Sequence, residues 1–178
     1  MILARHGQSH FNVHFGATRI DPGIVDPTLT EAGRAQAAAI ADALAARSDG
    51  PPVRRLIASP YRRALETAEI VASRLEVPIA VEPLVRERAA YTCDIGSDPI
   101  ELKRRWPHLA FDHIETRWWG EGEESESALA VRCDRFRTAM ARASDWAEVA
   151  VISHWGFIRA LTGQPLQNGA WIAFDPTA

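Results

Sequence analysis

The stretch Ile2-Leu3-Ala4-Arg5-His6-Gly7, ILARHG, passes from an apolar run to an arginine, a histidine and a glycine within six residues. A short apolar run ending on polar, turn-permissive residues reads as a buried strand with a solvent-facing exit. Runs of the same β-type composition recur at 55–58, 77–81, 149–153 and 171–174, as they do at 2–4, and longer helical patterns separate them. That alternation predicts an α/β fold, a three-layer sandwich with a mostly parallel central sheet and helices on both faces.

The helical segments are marked by stripes and caps. Residues 30–47 are alanine-rich, with Ala37, Ile40, Ala41 and Leu44 along one stripe, and Thr28 with Glu31 is expected to cap the start. Ser59-Pro60 predicts another start, a capping serine followed by proline at the first helical position. Leu65, Ala68, Ala72 and Leu75 continue that helix, and Pro78 lies beyond its end. Further helices are expected over 127–144 and after His154. The stretch from about Arg88 to Ser127 is the least regular, with a short helix near Pro99-Trp106, a Trp118-Trp119 pair and the acidic run GEGEESE at 120–126. It reads as a long excursion over one sheet edge, a lid or pocket wall, with the acidic run itself a solvated loop. With no internal repeat and no dividing linker, residues 1–178 are expected to form a single domain.

Of the 178 residues, 47% are apolar and 24% charged, close to the averages of soluble globular chains. No apolar run approaches the roughly 20 residues that span a bilayer, so no membrane partner is expected. The first residues lack a secretory pattern, and Cys93 and Cys133 have neither metal-ligand spacing nor a disulfide framework, which together predict a cytoplasmic protein. A net charge of −3 argues against general affinity for nucleic acid, so any bound anion needs a local cluster.

Such a cluster follows from the topology. Ligands of open parallel sheets bind beyond the carboxyl ends of the strands. The exits here carry Arg5-His6-Gly7, then Ser59-Pro60-Tyr61-Arg62-Arg63, then Arg86-Glu87-Arg88, then His154. Arg62 and Arg63 fall in a first helical turn, where the macrodipole disfavours cations. A bound anion would compensate them, as would an acidic neighbour such as Glu66. A neutral His6 is a competent nucleophile for phosphorus if one ring nitrogen is held protonated, and a carbonyl near Gly7 is expected to hold it. Gly7 would also let the main chain approach a phosphate.

Five motifs together resemble the histidine phosphatase superfamily, in its phosphoglycerate mutase-like branch: RHGQSHFN at 5–12, DPTLTEAGRAQA at 26–37, SPYRRALETAE at 59–69, LVRE at 84–87 and SHWGFIRALTG at 153–163. The resemblance implies a phosphoglycerate mutase-like fold and a phosphohistidine formed on His6. It implies that Arg5, Arg63 and a protonated His154 surround the phosphoryl group, with Asn12 as a further donor. Gly7, Ser9 and Trp155 join Asn12 as expected substrate contacts. Glu87 is implied as proton donor to the leaving oxygen and later as activator of water. Arg63 is preferred to Arg62 because it immediately precedes the small residue Ala64. No cofactor and no metal are implied.

Two departures stand out. Trp155 occupies a position that is glycine in many members, and the segment after Glu87, RAAYTCDIG, is unlike the family's turn, which keeps Glu82 and Asp94 as alternative acids. His6, His10 and His14 recur every four residues and would suit a metal on a helix face, were Gly7 not among them. Trp106, Trp118, Trp119 and Trp155 are candidates for an aromatic wall around a ring or alkyl leaving group, or for the core. The reading is a metal-independent phosphatase of small phosphate monoesters. Its alternatives are a phosphomutase of the phosphoglycerate mutase type, for whose enclosing segments the length leaves little room, and a catalytically silent phosphate-binding module. Arg86 and Arg88 set against the acidic residues 121–126 favour a singly phosphorylated substrate; oligomeric state stays open.

Overall fold

Side-chain alternation along the strands sorts the apolar residues into two layers. In the computed structural model, which describes residues 1–178, five strands form one sheet: β1 (Ile2–Arg5), β2 (Arg55–Ala58), β3 (Ile79–Val81), β4 (Val149–Ser153) and β5 (Trp171–Ala173), in the order β3-β2-β4-β1-β5. β4 runs parallel to both β1 and β2, β3 is parallel to β2, and β5 is antiparallel to β1. Ile2, Ala4, Leu56, Ala58, Ala150 and Ile152 face one side, while Leu3, Ile57, Val149 and Val151 face the other.

Six helices connect the strands: α1 (His10–Thr18), α2 (Glu31–Ala45), α3 (Arg62–Leu75), α4 (Pro99–Arg105), α5 (Glu126–Arg142) and α6 (Trp155–Thr162). α2 and α3 cover the first face with Ile40, Ala41, Leu44, Leu65, Ala68 and Val71. α5 and α6 cover the second with Leu129, Phe136, Met140, Phe157, Ile158 and Leu161. The result is the expected three-layer α/β arrangement, and it explains why the central strands are apolar almost throughout: both faces are buried. No helix is long and apolar enough to cross a membrane.

Several boundaries differ from expectation for local reasons. Thr30, not Thr28, caps α2, its hydroxyl accepting from the Gly33 amide at 3.0 Å. α3 begins at Arg62 rather than Pro60, and the Arg62 amide donates to Asp26 Oδ1 at 2.9 Å. β3 starts at Ile79 because the Val77 amide still bonds back to the Ala72 carbonyl and closes α3. α1 has no counterpart in the sequence reading. Phe11 is its one buried residue, so it shows no apolar stripe, and only the reciprocal bonds between Ser9 and Asn12 mark its start.

Gly7 and Gly33 let two pieces of backbone meet. A Cβ on Gly7 would strike the Gly33 carbonyl oxygen, and one on Gly33 would strike the carbonyl oxygen of Gln8. This contact pins the exit of β1 against the start of α2, reinforced by the bond from the Thr30 amide to the Gln8 carbonyl at 2.9 Å. Gly7→Ala and Gly33→Ala are each expected to lower stability by about 1–3 kcal/mol in urea titrations, since neither side can yield without moving main chain. Gly16→Ala, in open space on α1, is expected to leave stability unchanged or slightly raised.

Candidate active site

Ladder bonds continue past the strand ends and bring the exits into line. The His6 amide donates to the Ser153 carbonyl at 2.9 Å, the Ser59 amide to the Ile152 carbonyl at 3.1 Å, and the Glu82 amide to the Ala58 carbonyl at 2.9 Å. The His6 and His154 rings consequently lie 5.0 Å apart between centroids. A cavity of about 760 Å³ opens over this rim, lined at its inner end by Arg5, His6, Asn12, Arg63 and Glu87.

His6 is oriented by its neighbour. Its Nδ1 lies 2.7 Å from the Gly7 carbonyl oxygen, and because a carbonyl can only accept, Nδ1 carries the hydrogen and Nε2 presents a lone pair. Burial, then the charges of Arg63 and Arg5, hold its pKa well below that of an ordinary imidazole. His154 is fully buried, with Nε2 2.8 Å from the Ser59 hydroxyl and Nδ1 without a partner. Burial, followed by the charges of Arg63, His6 and Arg5, holds its pKa well below that of an ordinary imidazole, which works against the protonated second histidine expected from the sequence. The contact with Nε2 explains Ser59, which serves the ring instead of capping α3.

The cations are buried and partly satisfied. Arg5 donates from Nη1 to the Leu166 carbonyl at 2.9 Å, its Nε has no partner, and burial lowers its pKa to about 10, so it remains charged at neutral pH. Arg63 donates to the Cys93 carbonyl at 2.7 Å and to Asp94 Oδ1 at 3.0 Å, with its guanidinium over the Tyr61 ring. Tyr61 also sets its ring edge against His154 at 5.2 Å. Asp94 therefore compensates Arg63, while Asp26 receives the Arg62 backbone amide. Glu66 does neither; it accepts from the Leu29 amide and from Arg34.

Among the three candidate acids, Asp94 is committed to Arg63 and to the amides of Ala90 and Tyr91, and Glu82 caps the 3-10 turn at Pro83–Val85. Glu87 faces the cavity. Its Oε1 accepts from the amides of Arg88 at 2.9 Å and Phe157 at 3.2 Å, and burial, then the charge of Asp94, raises its pKa above the usual carboxyl value. A Cβ at Gly156 would strike that same Oε1, so glycine at this position lets the start of α6 reach the carboxyl.

The remaining expected contacts divide. Asn12 receives Ser9 and Asn168 on Oδ1, which leaves its NH₂ as the end free for the cavity. Ser9 lines the wall but is spent as the cap of α1. The Gly7 amide donates to the Thr67 hydroxyl at 3.1 Å and its missing side chain accommodates Gly33, so here the glycine serves contacts within the protein. Trp155 lines the cavity, whereas Trp106 and Trp118 are core and Trp119 packs against them. His10 and His14 are exposed on α1 and His6 precedes that helix, so the three share no face.

One positioning group escaped the sequence reading. Arg132, 5% exposed on α5, uses all five of its N–H donors: Nε and one Nη2 hydrogen on Glu124, the two Nη1 hydrogens on the carbonyls of Leu84 and Arg86, and the other Nη2 hydrogen on the carbonyl of Glu87. The Ser153 hydroxyl takes the intervening Val85 carbonyl at 2.7 Å. Four successive carbonyls of the segment that ends in Glu87 are thus tied down. The signal was an arginine on the stripe Leu129, Cys133, Phe136 and Met140, which is otherwise apolar. The acidic run is solvated as expected except at Glu124, whose carboxylate is withdrawn onto Arg86 and Arg132; Glu123 and Glu126 reach Arg88 but stay exposed.

Paired imidazoles and guanidiniums at one rim of a mostly parallel sheet define a phosphoryl-handling α/β protein. The chain belongs to the histidine phosphatase superfamily (branch 1), whose profile matches residues 1–177. It is 30% identical to glucosyl-3-phosphoglycerate phosphatase of Mycolicibacterium vanbaalenii, over 94% of this chain and 76% of that one. It is 26% identical to phosphoglycerate mutase-like protein 4 of Arabidopsis thaliana, over 90% of this chain and 68% of that one. Among solved structures, mycobacterial glucosyl-3-phosphoglycerate phosphatase superposes with a TM-score of 0.67 at 23% identity, covering 96% of this chain and 88% of its own.

Loosening Arg132 should displace the Glu87 segment without touching the inner end of the cavity. Arg132→Lys retains the charge but has three donors instead of five, and a loss of kcat on an alkyl phosphate on the order of tenfold to a hundredfold is expected, with little change in KM. Steady-state kinetics on protein verified as folded by circular dichroism checks this.

Proposed function

We propose that this protein hydrolyses phosphate monoesters through a phosphohistidine on His6. The observation that carries the reading is the His6 imidazole itself: neutral, held in one tautomer by the Gly7 carbonyl, and set in a cavity wall shared with two guanidiniums and a carboxyl of raised pKa. The names of relatives that match most of the chain support phosphatase chemistry.

In the first step His6 Nε2 attacks phosphorus in line, the P–N bond forms and the ester P–O bond breaks. Charge on the equatorial oxygens is met by Arg5, Arg63, the Asn12 amide and the unpartnered Nδ1 of His154, groups already fixed before substrate arrives. Protonated Glu87 gives its proton to the departing alkoxide. In the second step Glu87, now a carboxylate, takes a proton from water as the water oxygen attacks phosphorus. The P–N electron pair returns to Nε2 and inorganic phosphate leaves. Because Nδ1 keeps its hydrogen throughout, His6 starts each cycle as the same nucleophile. The buried free thiols of Cys93 and Cys133 support a reducing, cytoplasmic setting.

His6→Ala is expected to abolish release of nitrophenol from p-nitrophenyl phosphate and the acid-labile phosphoryl label trapped on rapid denaturation. Isomerisation of 3-phosphoglycerate without free phosphate would replace hydrolysis by mutase chemistry. The pH dependence follows from two shifts. His6 is lowered, so the nucleophile stays unprotonated into mildly acidic solution; Glu87 is raised, so the acid keeps its proton to higher pH than an ordinary carboxyl. kcat/KM on an alkyl phosphate should therefore peak on the acidic side and fall as pH rises through the Glu87 pKa. Glu87→Gln should flatten that fall and cut the rate by about 10²–10⁴ on alkyl esters, less on p-nitrophenyl phosphate, whose leaving group needs little protonation.

A further inference from the structure

The cavity is far larger than a phosphoryl group, and its outer half is built differently from its inner end. At about 760 Å³ it lies in the range that encloses drug-sized ligands. Beyond His6 and Asn12 the wall turns aromatic. Phe11 and Phe15 stack at 5.3 Å, one helical turn apart on α1, and Tyr91 tilts against both, at 5.8 Å and 4.9 Å. Trp155 lines the same space from α6. Tyr91 is 46% exposed and Trp155 39% exposed, so both rings offer faces to the cavity that no protein group covers fully.

Charge in the outer half is largely cancelled. Arg88 is paired with Glu123 at 2.7 Å and with Glu126 at 3.3 Å, so a second phosphate there would have to displace two carboxylates, and Arg86, bound to Glu124 at 3.2 Å, does not line the cavity. Arg19 alone remains there without an acidic partner, exposed and 5.8 Å from the Phe15 ring. A polyanionic or heavily hydroxylated leaving group would set its polar atoms against aromatic faces and acids already in use. A flat apolar one would cover those faces.

We infer that the alcohol released by this site carries an apolar ring, packed against the cavity-lining sides of the Phe15 and Tyr91 rings, and that the substrate class is singly phosphorylated ring-bearing monoesters. This rests on the phosphatase reading above. Of the four tryptophans named as a possible leaving-group wall, only Trp155 contributes; α1 and the segment after Glu87 supply the rest.

Two primary alkyl esters of similar bulk separate the possibilities, 2-phenylethyl phosphate and glucose 6-phosphate, with inorganic phosphate release as the readout. The wild type is expected to favour the phenylethyl ester on the order of tenfold or more in kcat/KM, mainly through KM. Phe15→Ala and Tyr91→Ala should each shrink that ratio by about three- to tenfold, while Tyr91→Phe keeps it. Equal or better use of glucose 6-phosphate, or a ratio unmoved by both alanine variants, overturns the inference and leaves the phosphatase reading intact. Turnover of neither ester together with no label on His6 overturns both.

Discussion

Everything at the active rim depends on β4 lying between β1 and β2 in parallel register. Its carbonyls at Ile152 and Ser153 are the acceptors for the first amides beyond the neighbouring strands, at Ser59 and His6. A parallel pair fixes the height of one strand against the next, and side-chain alternation fixes which way each residue turns. A slip of one residue in either pairing would send Leu3 or Ile57 to the wrong layer and carry His6 or Ser59 to the wrong face. The packing of the two apolar layers and the meeting of the two imidazoles are thus a single constraint, satisfied together or lost together.

On that frame buried cations and unpaired polar atoms gather at one rim. Burial first, and then the arginines beside them, lowers the pKa of both buried histidines. Arg63 is relieved by Asp94, but the Nε of Arg5 and Nδ1 of His154 are buried with no partner. Leaving buried polar atoms unpaired is destabilising, and each one in a native structure calls for an explanation. The strain is local and surrounded by well-satisfied groups, Tyr61, Ser59 and Asp94 among them, which keep the unpaired atoms in place.

How much of this the sequence carries differs by element. The sheet and its two helical layers follow from apolar runs and stripes because burial acts on those directly. His6, Arg63, Glu87 and His154 could be placed on one rim because a parallel sheet gathers its strand exits whatever the loops do. α1 was invisible because a helix that buries one phenylalanine leaves no period, and only its Ser9 and Asn12 bonds define it. The roles of Gly7, Ser59 and Arg132 were also hidden. Each is decided by a contact distant in sequence: Gly33 for the glycine, His154 for the serine and the carbonyls at 84–87 for the arginine. Long-range backbone contacts of that kind have no local signature in composition.

The segment from Glu87 to Asp94 binds these features into one unit. Within eight residues it supplies the carboxyl, the Tyr91 ring on the outer wall, and the Cys93 carbonyl and Asp94 carboxylate that hold Arg63. Its two ends are anchored from outside, by Arg132 at the first and by Tyr61 on the Asp94 carbonyl at the last. On the proposed reading, chemistry and substrate choice are mechanically linked on this side: moving Tyr91 would pull on Cys93 and Asp94, the partners of the Arg63 guanidinium. On the opposite wall the linkage is looser. Phe15 lies on α1 one turn beyond Asn12, and its own contacts are to the Phe11 and Tyr91 rings. Substitutions that alter the leaving group with least disturbance to the proposed phosphoryl transfer should then fall at Phe15, whose side chain makes only packing contacts, and not on the segment that carries Glu87.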